Sequence, residues 1–217
     1  WSPRTRGVEA HGVETQGWVN VYRGFTARQV WPRGFPLDAV ASSCTTQLPC
    51  SPQPRMVQAP IQQGLVSGSP DVDAIWRLLL DAPCSFDEGP SIYLPPGAWC
   101  PFNSQSTWWW PEAYPLLYLP SHCSFRMTDI WRGFVAQRCL WAMGYGLVFH
   151  APEVLQERNR HDLMRDFTDE IPGYLSNRRI AKILDALSLA PEPERAGDNL
   201  RVCYEARVRA EMLPKVA

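Results

Sequence analysis

The sequence predicts a mixed α/β layer fold, and three observations carry that reading. Short apolar runs bounded by Pro and Gly alternate with stretches of three-and-four periodicity. The 217 residues suffice for one large domain or two small ones with ample core. With 45% hydrophobic and 20% charged residues the chain is globular rather than disordered.

The elements follow in order. Residues 1–17 are polar and patternless and are expected to form a poorly ordered lead-in. WVNVY, from Trp18, reads as a short strand, and 41–60 as a Ser/Pro/Gln-rich loop. Pro70 and Asp71 introduce a helix over DAIWRLLLD, with carboxylates where the helix dipole favours them. Ser91 to Leu94 is a strand ended by Pro95-Pro96-Gly97. Met127 to Ala142 carries the strongest helical pattern: Met127, Ile130, Trp131, Phe134, Val135 and Cys139 share a face, with Thr128 or Asp129 as cap. Leu147 to Phe149 reads as a buried strand. A further helix carries Ile180, Ile183, Leu184 and Leu187 on one stripe, and 191–217 reads as a linker and loosely placed tail.

Composition narrows the function. A formal charge of −1 and the lack of any basic run argue against nucleic acid and anionic membranes as partners. No apolar run reaches the roughly 18 residues of a membrane span. Nothing at Trp1 resembles an initiator Met or signal peptide, so the chain is expected to be a fragment or processed product. Of the seven cysteines none forms a CxxC pair, which speaks against structural zinc. Cys139 reads as a buried thiol; Cys44 and Cys50, in a loop, are the better disulfide candidates and tilt the reading towards a secretory compartment.

Five groups could carry chemistry. Asp129, at a helix start, suits a general base, although from spacing alone an N-cap aspartate is the better reading. His150, after an apolar strand, stands where open sheets place ligands and could ligate a divalent metal; a core or surface histidine is the alternative. Asp71 and Asp73 imitate a metal-binding DxD, but that motif lies in a loop, and helix-starting carboxylates are the better reading. Trp108, Trp109 and Trp110 could stack on a sugar, with Asn103, Ser104 and Gln105 supplying hydrogen bonds; three adjacent residues cannot all face one way on a strand, so some are structural. Arg33, held between Pro32 and Gly34, suits phosphate recognition or a surface salt bridge.

These segments, taken in order, resemble a known family. WPRGFPLD, PDVDAIWRL, GAWCPFNSQSTWWWPEAYPLLYLP and SFRMTDIWRGFVAQRCLW are similar to the STELLO-type glycosyltransferases, and the likeness runs through QERNRHDLMRDFTDEIPGYL. A fainter resemblance links Arg33-Gly34-Phe35-Pro36 to the RGYP of plant reversibly glycosylated polypeptides, which act as sugar-nucleotide mutases. It also links Pro70–Ala74 to their PDYDA and Thr128–Gly133 to their DDMWAG.

The resemblance implies a GT-A-like, Rossmann-like fold over 18–190 that transfers sugar from a nucleotide sugar to a glycan or protein acceptor with Mn²⁺ or Mg²⁺. It implies Asp129 as the base and His150 as a metal ligand. It matches Arg33 to the arginine that becomes glycosylated in the mutases. The residues before Arg33 include no aspartate, so the nucleotide-binding half is expected to be missing and this chain to be the acceptor-side portion. A non-catalytic partner of Golgi glycan-synthesising enzymes, in the Golgi lumen or another secretory compartment, is the alternative; so is a carbohydrate-binding module, and a cytoplasmic location stays open.

Overall fold

The computed structural model describes residues 4–80, 82, 84–157 and 162–212. Eight strands are described: β1 (Gly7–Gly12), β2 (Gly17–Trp18), β3 (Arg55–Gln58), β4 (Ile61–Gly68), β5 (Ile92–Leu94), β6 (Ala98–Trp99), β7 (Thr107–Trp109) and β8 (Leu147–Gln156). The helices are α1 (Leu37–Thr45), α2 (Ala74–Leu79), α3 (Phe125–Ala142), α4 (Leu163–Asp185) and α5 (Ala196–Arg209). Six strands form one mixed sheet in the order β3-β1-β5-β8-β4-β7, and β2 pairs with β6 in parallel. This is the mixed α/β architecture the sequence predicts, and it accords with a Rossmann-like glycosyltransferase fold.

β4 and β8 form the parallel centre, with Gly64 opposite His150. Both are buried along their first halves, as expected of strands covered on two faces. α3 supplies the largest share of the core: Met127, Ile130, Phe134, Val135, Cys139 and Leu140 are all essentially inaccessible. Gly133 is required there, because a Cβ would stand 2.8 Å from the Phe102 carbonyl oxygen. An aromatic cluster joins the small sheet to α3. Trp18 stacks on Trp99 at 6.1 Å, and Phe134 meets both rings edge-on.

Several expectations change. Residues 7–12, inside the expected lead-in, form β1, which pairs antiparallel with β3 and parallel with β5. Ala10 is fully buried there, so a strand that reads as polar is held by the sheet rather than by its own pattern. WVNVY divides between β2 and a tight helical turn at Val21–Gly24. The expected 41–60 loop holds the end of α1 and all of β3. The tail contains α5, whose Ala196, Cys203 and Arg207 are inaccessible. Asp81, the expected end of the second helix, lies outside the described residues.

The cysteines are free thiols. Cys44 and Cys50 do not bridge: Cys44 is buried against Asn20 and the Val30 carbonyl, whereas Cys50 lies in an isolated bridge with Val13. Cys139 is buried, as expected.

One buried charge costs stability. Arg207 is fully inaccessible, and among the described residues its three guanidinium nitrogens find no hydrogen-bond partner. The ring faces of Trp131, at 5.0 Å, and Tyr204, at 5.5 Å, offset part of that cost. Arg207→Met should therefore raise unfolding stability by about 1–3 kcal/mol in a denaturant titration. A loss of stability would show that the ring faces offset the desolvation in full.

Candidate functional site

The site begins with a turn. Gly34 adopts φ +88°, open to glycine without strain, and a Cβ there would strike Ile130 at 2.4 Å. The preceding residue is pinned as well. Pro32 bridges Val72, and the Arg33 N–H donates to the Asp71 carbonyl at 3.2 Å. Asn177 of α4 donates to the Gly34 carbonyl at 2.8 Å while accepting from the Trp131 indole at 2.8 Å. Turn, α3 and α4 are thus locked together, and the Arg33 side chain emerges in one direction.

That side chain joins two carboxylates. Arg33 Nε and Nη2 donate to the two oxygens of Asp71, both at 2.8 Å, in the fork geometry that suits a guanidinium. Nη2 also reaches Asp129 Oδ1 at 3.0 Å, and Nη1 donates to the Arg126 carbonyl. Asp129 Oδ2 further accepts from the Ser104 N–H at 3.1 Å, and the Ser104 hydroxyl meets Arg132 Nη2 at 2.8 Å. Burial alone would raise the Asp129 pKa; Arg33, the Ser104 N–H and Arg132 outweigh it and hold the carboxyl below its usual range. Burial likewise works against the charge on Arg33, but Asp71 and Asp129 keep it protonated.

A cleft of about 470 Å³ opens over this group. Arg33, Asp71, Asn103, Ser104, Gln105 and Asp129 line it, together with Phe125, Arg126 and Gln156. A smaller pocket of about 210 Å³ adjoins it and shares Arg33, Ser104, Phe125, Arg126 and Asp129. The cleft therefore combines a charged floor with a partly apolar rim, within the size range of small-molecule sites.

The other expected residues divide. Asn103 and Gln105 line the cleft, but their side chains already bond to neighbours: Asn103 accepts from Gln63 at 2.7 Å, and Gln105 donates to the Ser69 carbonyl and to Gln156. Asp129 lies in the second turn of α3 and is not its cap; Ser124 holds that position, and Thr128 is likewise inside the helix. Asp73 does cap α2, accepting from the Trp76 N–H, whereas Asp71 is the partner of Arg33. Arg33 is buried and not a surface residue.

The tryptophans stand elsewhere. Trp108 and Trp109 belong to the edge strand β7, and neither lines the cleft. Arg4 lies 5.0 Å over the Trp108 ring, and Arg132 lies 4.7 Å over Trp109. Trp110 precedes the tight helical turn Pro111–Leu117, its N–H bonded to the Pro60 carbonyl. Sequence reasoning missed Asp71 as the partner of Arg33, and Phe125. The available signal for Phe125 was its place four residues before Asp129, one turn along the same helix.

His150 lies inside β8 rather than at a strand end. Nε2 bonds to Gln62 Oε1 at 2.9 Å, and Nδ1 faces the Ser91 hydroxyl at 2.8 Å and Arg4 at 3.3 Å. It opens onto a separate pocket with Arg4, Glu88 and Glu153. Both ring nitrogens are engaged, and among the described residues no three His, Cys, Asp or Glu side chains converge to hold a metal. Asp71 and Asp129, the carboxylates of the cleft, are both bound to Arg33. The cleft donors among the described residues thus do not fit a divalent cation.

An ion-paired cleft beside a mixed sheet with a parallel centre defines an α/β domain consistent with a Rossmann-like glycosyltransferase fold. More narrowly, it is related to the STELLO glycosyltransferases, whose family model matches residues 126–205. The protein named "Probable glycosyltransferase STELLO2" of Arabidopsis thaliana is 34% identical over 178 residues, covering 76% of this chain and 22% of that protein. "Probable glycosyltransferase STELLO1" of the same plant is 35% identical over 144 residues, covering 62% of this chain and 18% of its own length. The chain therefore spans about a fifth of the curated relatives it matches. Among the described residues no helix is long and apolar enough to cross a membrane.

The His150 environment makes stability depend on pH. Burial, aided by the Arg4 charge, pushes its pKa from 6.5 down to about 4. The unfolded chain then binds the extra proton between pH 6.5 and 4, so the contribution is complete above the unfolded value and fades as pH falls towards the folded one. About 3 kcal/mol should be lost over that window, and His150→Gln should flatten the slope in urea titrations at stepped pH. Equal slopes in both proteins would contradict this reading.

Proposed function

We propose that the cleft is the acceptor side of a glycosyltransferase site, taking sugar from a nucleotide sugar to a glycan hydroxyl. The observation that carries this reading is the Asp129 carboxylate, kept ionised at the cleft floor by Arg33 and Ser104. The family likeness and the names of the two relatives support the same reaction class.

In this mechanism Asp129 receives the proton of the acceptor hydroxyl. A carboxylate held to a guanidinium is a weak base, so it accepts the proton late, after the acceptor oxygen has begun to bond to the anomeric carbon and has grown acidic, while the bond from that carbon to the diphosphate oxygen breaks and the nucleoside diphosphate leaves. Arg33 fixes the carboxylate, and Asp71 fixes Arg33. One Nη1 N–H of Arg33 is left over from these bonds and can reach an oxygen of the donor. A divalent cation, implied by the resemblance, has no set of ligands in this cleft, and no step is assigned to one.

The test is UDP release from UDP-sugars with a mixed oligosaccharide acceptor. Acceptor-stimulated release is expected when the chain is assayed within a longer protein that also carries a nucleotide-binding half, with a fall of about 10²–10⁴-fold in Asp129→Asn. Release that is unchanged in the variant would remove Asp129 from the chemistry.

A further inference from the structure

The cleft lacks the aromatic wall that the tryptophans were expected to give it, yet one aromatic ring does stand at its mouth. Phe125 is the first residue of α3, one turn before Asp129 and on the same face. It lines both the cleft and the adjoining pocket, and it is 88% exposed. Leaving a phenyl ring in water forgoes about 1.5–3 kcal/mol of burial, so such exposure at a cleft mouth points to an occupant. Leu119 shares the smaller pocket with it, and the two residues before Leu119, Tyr118 and Leu117, are exposed as well, the Tyr118 ring lying edge-on to Tyr204.

We propose that Phe125 is the acceptor-stacking platform and that its ligand is a chain of pyranose residues. This inference rests on the transferase reading of the same cleft and supplies its acceptor class. The chemistry of the pocket selects a sugar over an apolar protein segment. Phe125 and Leu119 face a floor of Arg33, Asp129 and Ser104, whereas the centre of a protein interface is depleted in charge. A pyranose presents both partners at once. Its C–H face lies on the phenyl ring, and its rim of hydroxyls reaches the carboxylate. Tyr118 and Leu117 carry the following residues of the chain. Trp108 and Trp109 do not line this cleft, and an arginine occupies one face of each ring.

The experiment is an NMR titration of the ¹⁵N-labelled chain with maltohexaose, mannohexaose and xylohexaose, without nucleotide. Saturable shifts are expected at the amides of Ser104, Arg126 and Asp129 with at least one of the three. Phe125→Ala, an exposed substitution that leaves the fold intact, should weaken binding by about tenfold, and Phe125→Trp should retain it. Equal affinity in Phe125→Ala, or no saturable shift with any of the three, would overturn the proposal. So would concentration-dependent self-association that disappears in Phe125→Ala without a glycan effect, since the ring would then serve a protein contact. Glycan binding that persists while UDP release fails would fault the transferase reading alone.

Discussion

The structure turns on one buried cation shared by two carboxylates. Arg33 ties the turn after Pro32, the segment before α2 and the start of α3 into a single unit. Its side chain is 7% exposed, and those of Asp71 and Asp129 are 12% and 19% exposed, so water screens the three charges little. Such a group is stable only when complete. Removing Arg33 leaves two carboxylates uncompensated in the interior, at a cost of about 3–5 kcal/mol. The same contacts that hold the fold also keep Asp129 ionised and directed at the cleft, so stability and chemistry share their atoms.

Around this unit a second set of charges is closed off. Glu170 of α4 is inaccessible and accepts from Arg126, from the Tyr174 hydroxyl and from the Ala74 N–H. It therefore joins α4 to the start of α3 and to α2. The two networks meet at Arg126, whose carbonyl serves Arg33 while its side chain serves Glu170. Fully partnered networks of this kind specify one arrangement of helices, and here they fix the angle at which α3 presents Phe125 and Asp129. The aromatic cluster of Trp18, Trp99 and Phe134 supplies the apolar support on the far side of α3.

How much of this was legible in the sequence differs from element to element. α3 declares itself, because its apolar face repeats every three and four residues and no strand competes for it. β5 and the start of β8 are legible as short apolar runs, the first ended by Pro95-Pro96-Gly97. β1 is not: its Gly and His residues carry no strand signal, and the sheet that recruits it is built from residues far along the chain. Asp129, Arg33, Asn103 and Gln105 were all legible as candidates, and the structure brings them to one cleft. Their order was not. Asp71 reads as a helix-starting acid until the bridge of Pro32 to Val72 sets it beside Arg33. The tryptophans mislead because a ring suited to sugars is equally suited to arginine. Only the three-dimensional neighbours Arg4 and Arg132 decide which it serves. His150 misleads in a similar way, since its two nitrogens are claimed by Gln62 and Ser91 from distant strands and loops.

The most direct measurement is a double-mutant cycle between Arg33→Met and Asp129→Asn, read by denaturant unfolding. If the shared cation is the organising contact, Arg33→Met alone should be severely destabilising. Neutralising Asp129 in that background should then cost far less than in the wild type, with a coupling of at least about 1 kcal/mol. Additivity within about 0.5 kcal/mol would contradict the account, because Arg33 and Asp129 would then be neighbours without dependence.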